Sequence, residues 1–138
     1  MKLVKLFLVA ALLTATSVIQ AQNSRLNGQQ YTIVMIDEQN DGDEILDIFS
    51  FNNNELKSQN MTKDGFSSAS VNESGNNFEA VFSKSASETM TISGTVEGTT
   101  IFGNIVSTQN GSNSNYVFRG MTSTEWNAIK EKKAAAGQ

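Results

Sequence analysis

Residues 88–107 read ETMTISGTVEGTTIFGNIVS. Met90, Ile92, Gly94 and Val96 fall on one face of the first half, and Thr89, Thr91, Ser93 and Thr95 on the other. That two-residue period belongs to a β-strand. Glu97-Gly98 turns the chain, and Thr100 to Ser107 comes back as a second strand. Gly94 and Gly103 sit inside the two strand patterns, where glycine marks a bulge or a sharp bend. Paired glycines in neighbouring strands suit a sheet that coils strongly enough to close on itself.

The period continues on both sides of this hairpin. Upstream, strands are expected at Tyr31 to Asp37 (YTIVMID), Ile45 to Phe51 (ILDIFSF), Leu56 to Met61, Phe66 to Val71 and Asn77 to Ser83 (NFEAVFS). Downstream, a Gly/Asn/Ser loop at 110–115 leads to Tyr116 to Met121. The connections are the turn-forming clusters Glu38 to Asp43, Asn52-Asn53-Asn54 and Lys63-Asp64-Gly65. Proline is absent from the whole chain, so Gly, Asn and Asp carry the turns. Eight strands with short turns predict an all-β protein, an eight-stranded antiparallel up-and-down barrel, because closure removes exposed sheet edges. A two-sheet β-sandwich is the alternative.

A short helix follows the strands. Thr122 is placed to cap it, with Glu125 three residues later completing a capping box. Trp126 and Ile129 lie three apart on one face, which predicts that the helix docks on the outside of the sheet. Ala134 to Gln138 is expected to fray.

The chain begins Met-Lys-Leu-Val-Lys, runs apolar from Leu6 to Ile19 and reaches Gln20-Ala21. A positive start, an apolar stretch of about 14 residues and a small residue at the cut describe a secretory signal peptide. The stretch falls short of the ~20 residues a bilayer-spanning helix needs. The expected division is therefore 1–21 signal peptide, 22–121 barrel domain and 122–138 C-terminal helix and tail. The expected location is periplasmic or extracellular after cleavage near Ala21/Gln22, with no stable membrane insertion. The absence of cysteine excludes a lipid-modified cleavage site. It also leaves the domain without disulfides, which favours a bacterial rather than a eukaryotic secreted protein.

The net charge is −4, and removing Lys2 and Lys5 makes it −6. Basic residues cluster nowhere except Lys130, Lys132 and Lys133. Nucleic-acid binding needs a positive surface, so no nucleic-acid partner is expected.

The pattern resembles the small exported lipocalin-like β-barrel proteins of bacteria over about residues 26–121. The residues that carry the likeness are Leu26 to Tyr31 (LNGQQY), Phe66-Ser67-Ser68, Ile92 to Gly98 (ISGTVEG), Ile101-Phe102-Gly103 and Tyr116 to Gly120 (YVFRG). The Gly-x-Trp of true lipocalins is absent, since Gln30 stands two places after Gly28. The resemblance implies an eight-stranded barrel able to hold an apolar molecule.

Histidine and cysteine are both absent. That removes Ser-His-Asp and Cys-His catalysis and imidazole or thiolate metal sites. No Gly-x-Ser-x-Gly elbow occurs. Carboxylates sit mostly in turns, with no spacing that argues for a glycosidase pair, so the protein is not expected to be an enzyme. A carboxylate-dependent hydrolase is the last of three readings.

The acidic segment Asp37 to Glu44 is the sharpest local signal. Hard oxygen ligands around a glycine turn suit calcium. Aligning Gly42 with an EF-hand glycine puts Asp37, Asp41 and Asp43 at ligand positions. The twelfth position is then Ile48 rather than a bidentate Glu, and the flanks read as strands. A solvated hairpin turn and a weak calcium site of another type are the two readings; no other cofactor is implied.

Tyr31, Ile33 and Met35 share one strand face, and Arg119 lies on an otherwise apolar strand. As a lined cavity these four would hold the apolar and anionic parts of a ligand; as ordinary structure they would be core and a packing arginine. The expected function is an exported, non-enzymatic barrel binding a small apolar or amphipathic ligand in a cavity of several hundred Å3. An envelope structural or interaction protein without such a ligand is the alternative.

Overall fold

The computed structural model describes residues 24–40 and 42–137. The predicted signal peptide lies outside them. The strands are β1 (Gln30–Asp37), β2 (Glu44–Asn52), β3 (Glu55–Ser58), β4 (Ala69–Ser74), β5 (Asn77–Ser85), β6 (Glu88–Glu97), β7 (Thr100–Gln109) and β8 (Ser112–Thr122). Each pairs antiparallel with the next, and β1 pairs with β8 from Tyr31–Thr122 to Asp37–Tyr116. The sheet is therefore a closed up-and-down barrel, and the sandwich alternative falls away.

Among the described residues two helices accompany it, α1 (Gln59–Lys63) and α2 (Ser123–Ala136). The expected third strand, Leu56 to Met61, stops at Ser58, whose hydroxyl accepts the Met61 N–H and starts α1 instead. A side chain that caps a helix start offers the backbone an alternative to strand pairing. The fourth strand begins at Ala69, three residues later than expected.

The supposed loop at 110–115 is a two-residue turn. Asn110 and Gly111 both have positive φ, 50° and 81°, the geometry of a type I′ hairpin. Ser112 to Asn115 then pair with β7, since backbone pairing needs no apolar side chain. Asn53 and Asn54 make the same kind of turn between β2 and β3, with φ of 52° and 60°.

Inward faces carry the core: Ile33, Phe49, Leu56, Phe78, Phe82, Ile92, Ile101, Ile105 and Phe118 are all buried. The rings pack edge to face, Phe49 on Phe118 at 5.4 Å and Phe51 on Phe78 at 5.3 Å between centroids, as ring quadrupoles favour. Gly94, Gly103 and Gly120 also point inward. A Cβ on Gly94 would lie 2.5 Å from the Phe78 ring. On Gly103 it would lie 2.1 Å from the Ser93 carbonyl oxygen, and on Gly120 2.2 Å from that of Thr32. The strands approach and bend there because no side chain stands between them, as the Gly94–Gly103 pairing implied.

One end of the barrel is sealed. Gly28 N–H donates to the Phe51 carbonyl at 2.7 Å, and Phe51 N–H donates to Gln29 at 2.9 Å. Leu26 is buried beneath this crossing chain. Arg25 fastens it by donating to the Gly75 carbonyl and to Asn76 Oδ1.

The Thr122 cap holds, with the Glu125 N–H 3.4 Å from its hydroxyl. Docking of α2 does not: none of its residues is buried, and Ile129 is 37% exposed. The helix is tied to the barrel at its first residue, where Ser123 shares a 3.0 Å hydrogen bond with Thr32. It runs through Ala136, past the expected frayed end.

Gly103→Ala and Gly120→Ala should each cost about 3 kcal/mol, since an overpacked interior cannot move a backbone carbonyl aside. Gly98→Ala, where φ is 60° and the space is open, should cost about 1 kcal/mol, the usual penalty of a left-handed residue. Urea denaturation of the three variants checks this. Equal losses would show that the sheet is not pressed together at the interior glycines.

Candidate functional site

Opposite the sealed end, the barrel opens. The β1–β2, β5–β6 and β7–β8 connections and α1 surround this mouth. A cup of about 390 Å3 lies within it, lined by Met35, Ile45, Met61, Met90, Ile105 and Tyr116. Asn60, Lys63 and Asp64 form its polar rim. β1, β2, β6, β7 and β8 each contribute their inward apolar residue nearest the mouth, and α1 adds Met61, so alternation along the strands brings the apolar side chains together. Three of the lining residues are methionines, whose unbranched thioethers adapt to irregular shapes. The volume falls within the ~300–1,000 Å3 of small-molecule sites.

Below the cup the barrel is filled. Phe82, Ile92 and Phe49 are nearly inaccessible, so the cup is a mouth site and not a through-channel. Two larger depressions are less suitable. One of about 560 Å3 lies over Gly94 and Gly103 on the outer wall, among Asn72, Asn77, Thr95 and Asn104. The other, about 550 Å3, surrounds Arg25, Gln29 and Thr99 at the sealed end. Both are rimmed by polar side chains, whereas apolar groups converge on the mouth.

One wall of the cup is α1, and a buried acid holds it in place. Asp47 lies on the inward face of β2, between Ile45 and Phe49, and is 2% exposed. Its Oδ2 accepts the Ser58 hydroxyl, and its Oδ1 accepts the backbone N–H of Asn60 at 3.0 Å and of Ile48 at 2.7 Å. Asn60 Nδ2 donates in turn to the Leu46 carbonyl at 2.8 Å. These bonds dock the start of α1 on β2 and set Met61 over the core. On the far side Lys84 lies over the Phe66 ring at 6.0 Å and pairs with Glu88 at 3.4 Å. The Gln109 amide, and then Lys84, hold the Glu88 carboxyl below its usual pKa.

Of the residues singled out from the sequence, Met35 lines the cup. Tyr31 and Ile33 are 2% and 0% exposed in the packed interior. Tyr31 lies toward the sealed end, and burial raises its pKa against the opposing charge of Arg25. Arg119 is exposed on the outer wall, opposite Val34 and Phe102. Five cup residues, Ile45, Met61, Met90, Ile105 and Tyr116, were not singled out. Met61 belongs to α1; the signal shared by the other four is being the inward apolar residue nearest a mouth turn. Asp47 was missed as well, although an acid inside the apolar alternation of ILDIFSF marks it.

The acidic hairpin binds itself. Asp37 accepts the Gln39 N–H at 2.8 Å and the Asn40 side-chain amide at 2.9 Å. These bonds lower its pKa, the Gln39 N–H contributing most. Asp41 lies outside the described residues. Among those described, no three acidic side chains gather as a metal site.

Two measurements test this geometry. Asp47→Ala should cost about 2–4 kcal/mol, because it leaves buried donors on Ser58 and Asn60 unpaired. Asp47→Asn, which keeps an acceptor, should cost less; hydrogen exchange should show α1 released in the alanine variant alone. Equal losses would mean that the buried network does not hold the helix. In a pH titration followed by the Gln39 amide resonance, Asp37 should titrate below its ordinary value of 3.8. A depressed pKa means that the turn's stabilisation is complete above the unfolded value and is lost as pH falls through the folded one. A midpoint at or above 3.8 would contradict the turn.

No family model, curated protein or solved structure matches this chain.

Proposed function

We propose that the protein is an exported, non-enzymatic barrel that binds a small apolar or amphipathic molecule at its mouth. The observation that carries this reading is the cup itself: about 390 Å3 ringed by Met35, Met61, Met90, Ile45, Ile105 and Tyr116 in a closed eight-stranded barrel. An apolar group enters among the thioethers, and any polar end lies at the rim with Asn60 and Lys63. The filled interior beneath favours a short or compact ligand over a long chain threaded through the barrel. The lysine-led apolar leader supports export, and the absence of cysteine suits a bacterial host. The absence of His and Cys from the sequence, and the scatter of acids over different strands, turns and α2, support a binding role without catalysis.

Native mass spectrometry of the protein purified from its own host tests the reading. A reproducible added mass, released on denaturation, is the expected result. Ile45→Glu introduces a charge at a half-exposed cup residue and should weaken binding of the extracted molecule at least about tenfold, equivalent to ~1.4 kcal/mol. A bare protein mass, together with no displacement of an apolar fluorescent probe from the wild type, would defeat it.

A further inference from the structure

The outer wall of the barrel is not uniform. On β5 and β6 it is mostly polar, carrying Asn77, Glu79, Ser83, Thr89, Thr91, Ser93 and Thr95 around a single Val81. On β2, β1 and β8 it carries Leu46, Ile48, Val34, Ile36, Val117 and Met121, with Arg119 between the last two. Register makes Ile48, Leu46, Val34, Ile36 and Val117 one patch: Val34 stands opposite Leu46 and Ile36 opposite Val117, while the exposed Arg119 borders it opposite Val34 and Thr32 separates Ile48 from Met121. Leu46 is 59% exposed. A contiguous apolar patch of this kind on a sheet's outer face marks a contact surface.

The wall ends in negative charge. Glu38, Asp43 and Glu44 are exposed where the β1–β2 hairpin closes. The chain also owns a segment that complements both features. α2 leaves β8 at the Thr32–Met121 end of the wall with no residue buried. It presents Trp126 and Ile129, and then Lys130, Lys132 and Lys133. Its 14 residues extend about 21 Å, close to the ~27 Å of the eight-residue β1. Apolar residues followed by lysines on the helix match apolar residues followed by acids on the wall.

We propose that the occupant of this wall is α2 of a second copy of the chain, in a two-fold dimer with the barrels side by side and parallel. Each helix enters at the Thr32–Met121 end of the other's wall. Trp126 and Ile129 cover Ile48, Leu46 and Val34, and the lysines end beside Glu44, Asp43 and Glu38. The pairing is isologous, so the same two surfaces are buried twice and the assembly stops at two. It leaves the mouth cup open and stands independently of ligand binding.

The cysteine-free sequence gives a direct test. Leu46→Cys and Ile129→Cys, made in separate chains at exposed positions, are mixed and oxidised with copper–phenanthroline. The expected product is a mixed disulfide dimer in excess of either self-linked dimer. Sedimentation of the wild type should show a concentration-dependent dimer. Lys130→Glu, Lys132→Glu and Lys133→Glu together should weaken it at least about tenfold, and added salt should act in the same direction. A wild type that stays monomeric with no mixed disulfide overturns the proposal and assigns the wall to another protein or a lipid surface. So does an intramolecular disulfide in the chain carrying both cysteines, which would place the helix on its own barrel.

Discussion

Closing eight strands around a narrow interior sets a volume problem that governs the rest of the molecule. Each inward row must supply enough side chain to exclude water, yet neighbouring backbones must bend within van der Waals reach of one another. Phe78, Phe118 and Ile33 supply the volume, and Gly94, Gly103 and Gly120 give up theirs to make room. Ring and glycine are two halves of one arrangement. The tight coil lets β8 return to β1, and that pairing removes the last free edge of the sheet.

The site inherits its character from how the two ends are finished. At one end, residues 25–29 cross the barrel and Leu26 fills what would otherwise be a hole. At the other, α1 covers part of the opening and leaves the remainder as a Met-rich cup. Asp47 is what makes that cover specific. A fully apolar row on β2 would pack equally well, but it would not fix where Ser58 turns from strand into helix. Buried polar groups with every partner satisfied favour one arrangement over its neighbours.

Much of this was legible in the sequence, and the exceptions have physical reasons. The strands of the second half were readable because Met90 to Val96 and Thr100 to Ser107 alternate cleanly, and the glycine pair announced the coil. Around Leu56 to Val71 the pattern fails, because Ser58 takes a capping role that strand propensity does not anticipate. At Ser112 to Asn115 polar side chains disguised a strand that extends beyond the core. The cup was harder to see. Its members come from β1, β2, α1, β6, β7 and β8, and they converge through barrel closure, which single-strand periodicity does not encode. Apolar residues on both faces of β1 and β2 were visible, but which face was interior depended on the register with β8.

The closure of β8 on β1 has a kinetic side. Seven of the pairings in this barrel join consecutive strands and form from nearby residues, whereas the eighth links Tyr31 to Thr122. Loop-closure entropy makes that contact the slow one, because its ends must meet across almost the whole domain. β8 is also the last of the eight strands to be synthesised. A chain arrested or cleaved before β8 keeps β1 as an open edge whose outer face carries Val34 and Ile36, a template for wrong pairing. Up-and-down topology thus delays closure of the native sheet until β8 has been made.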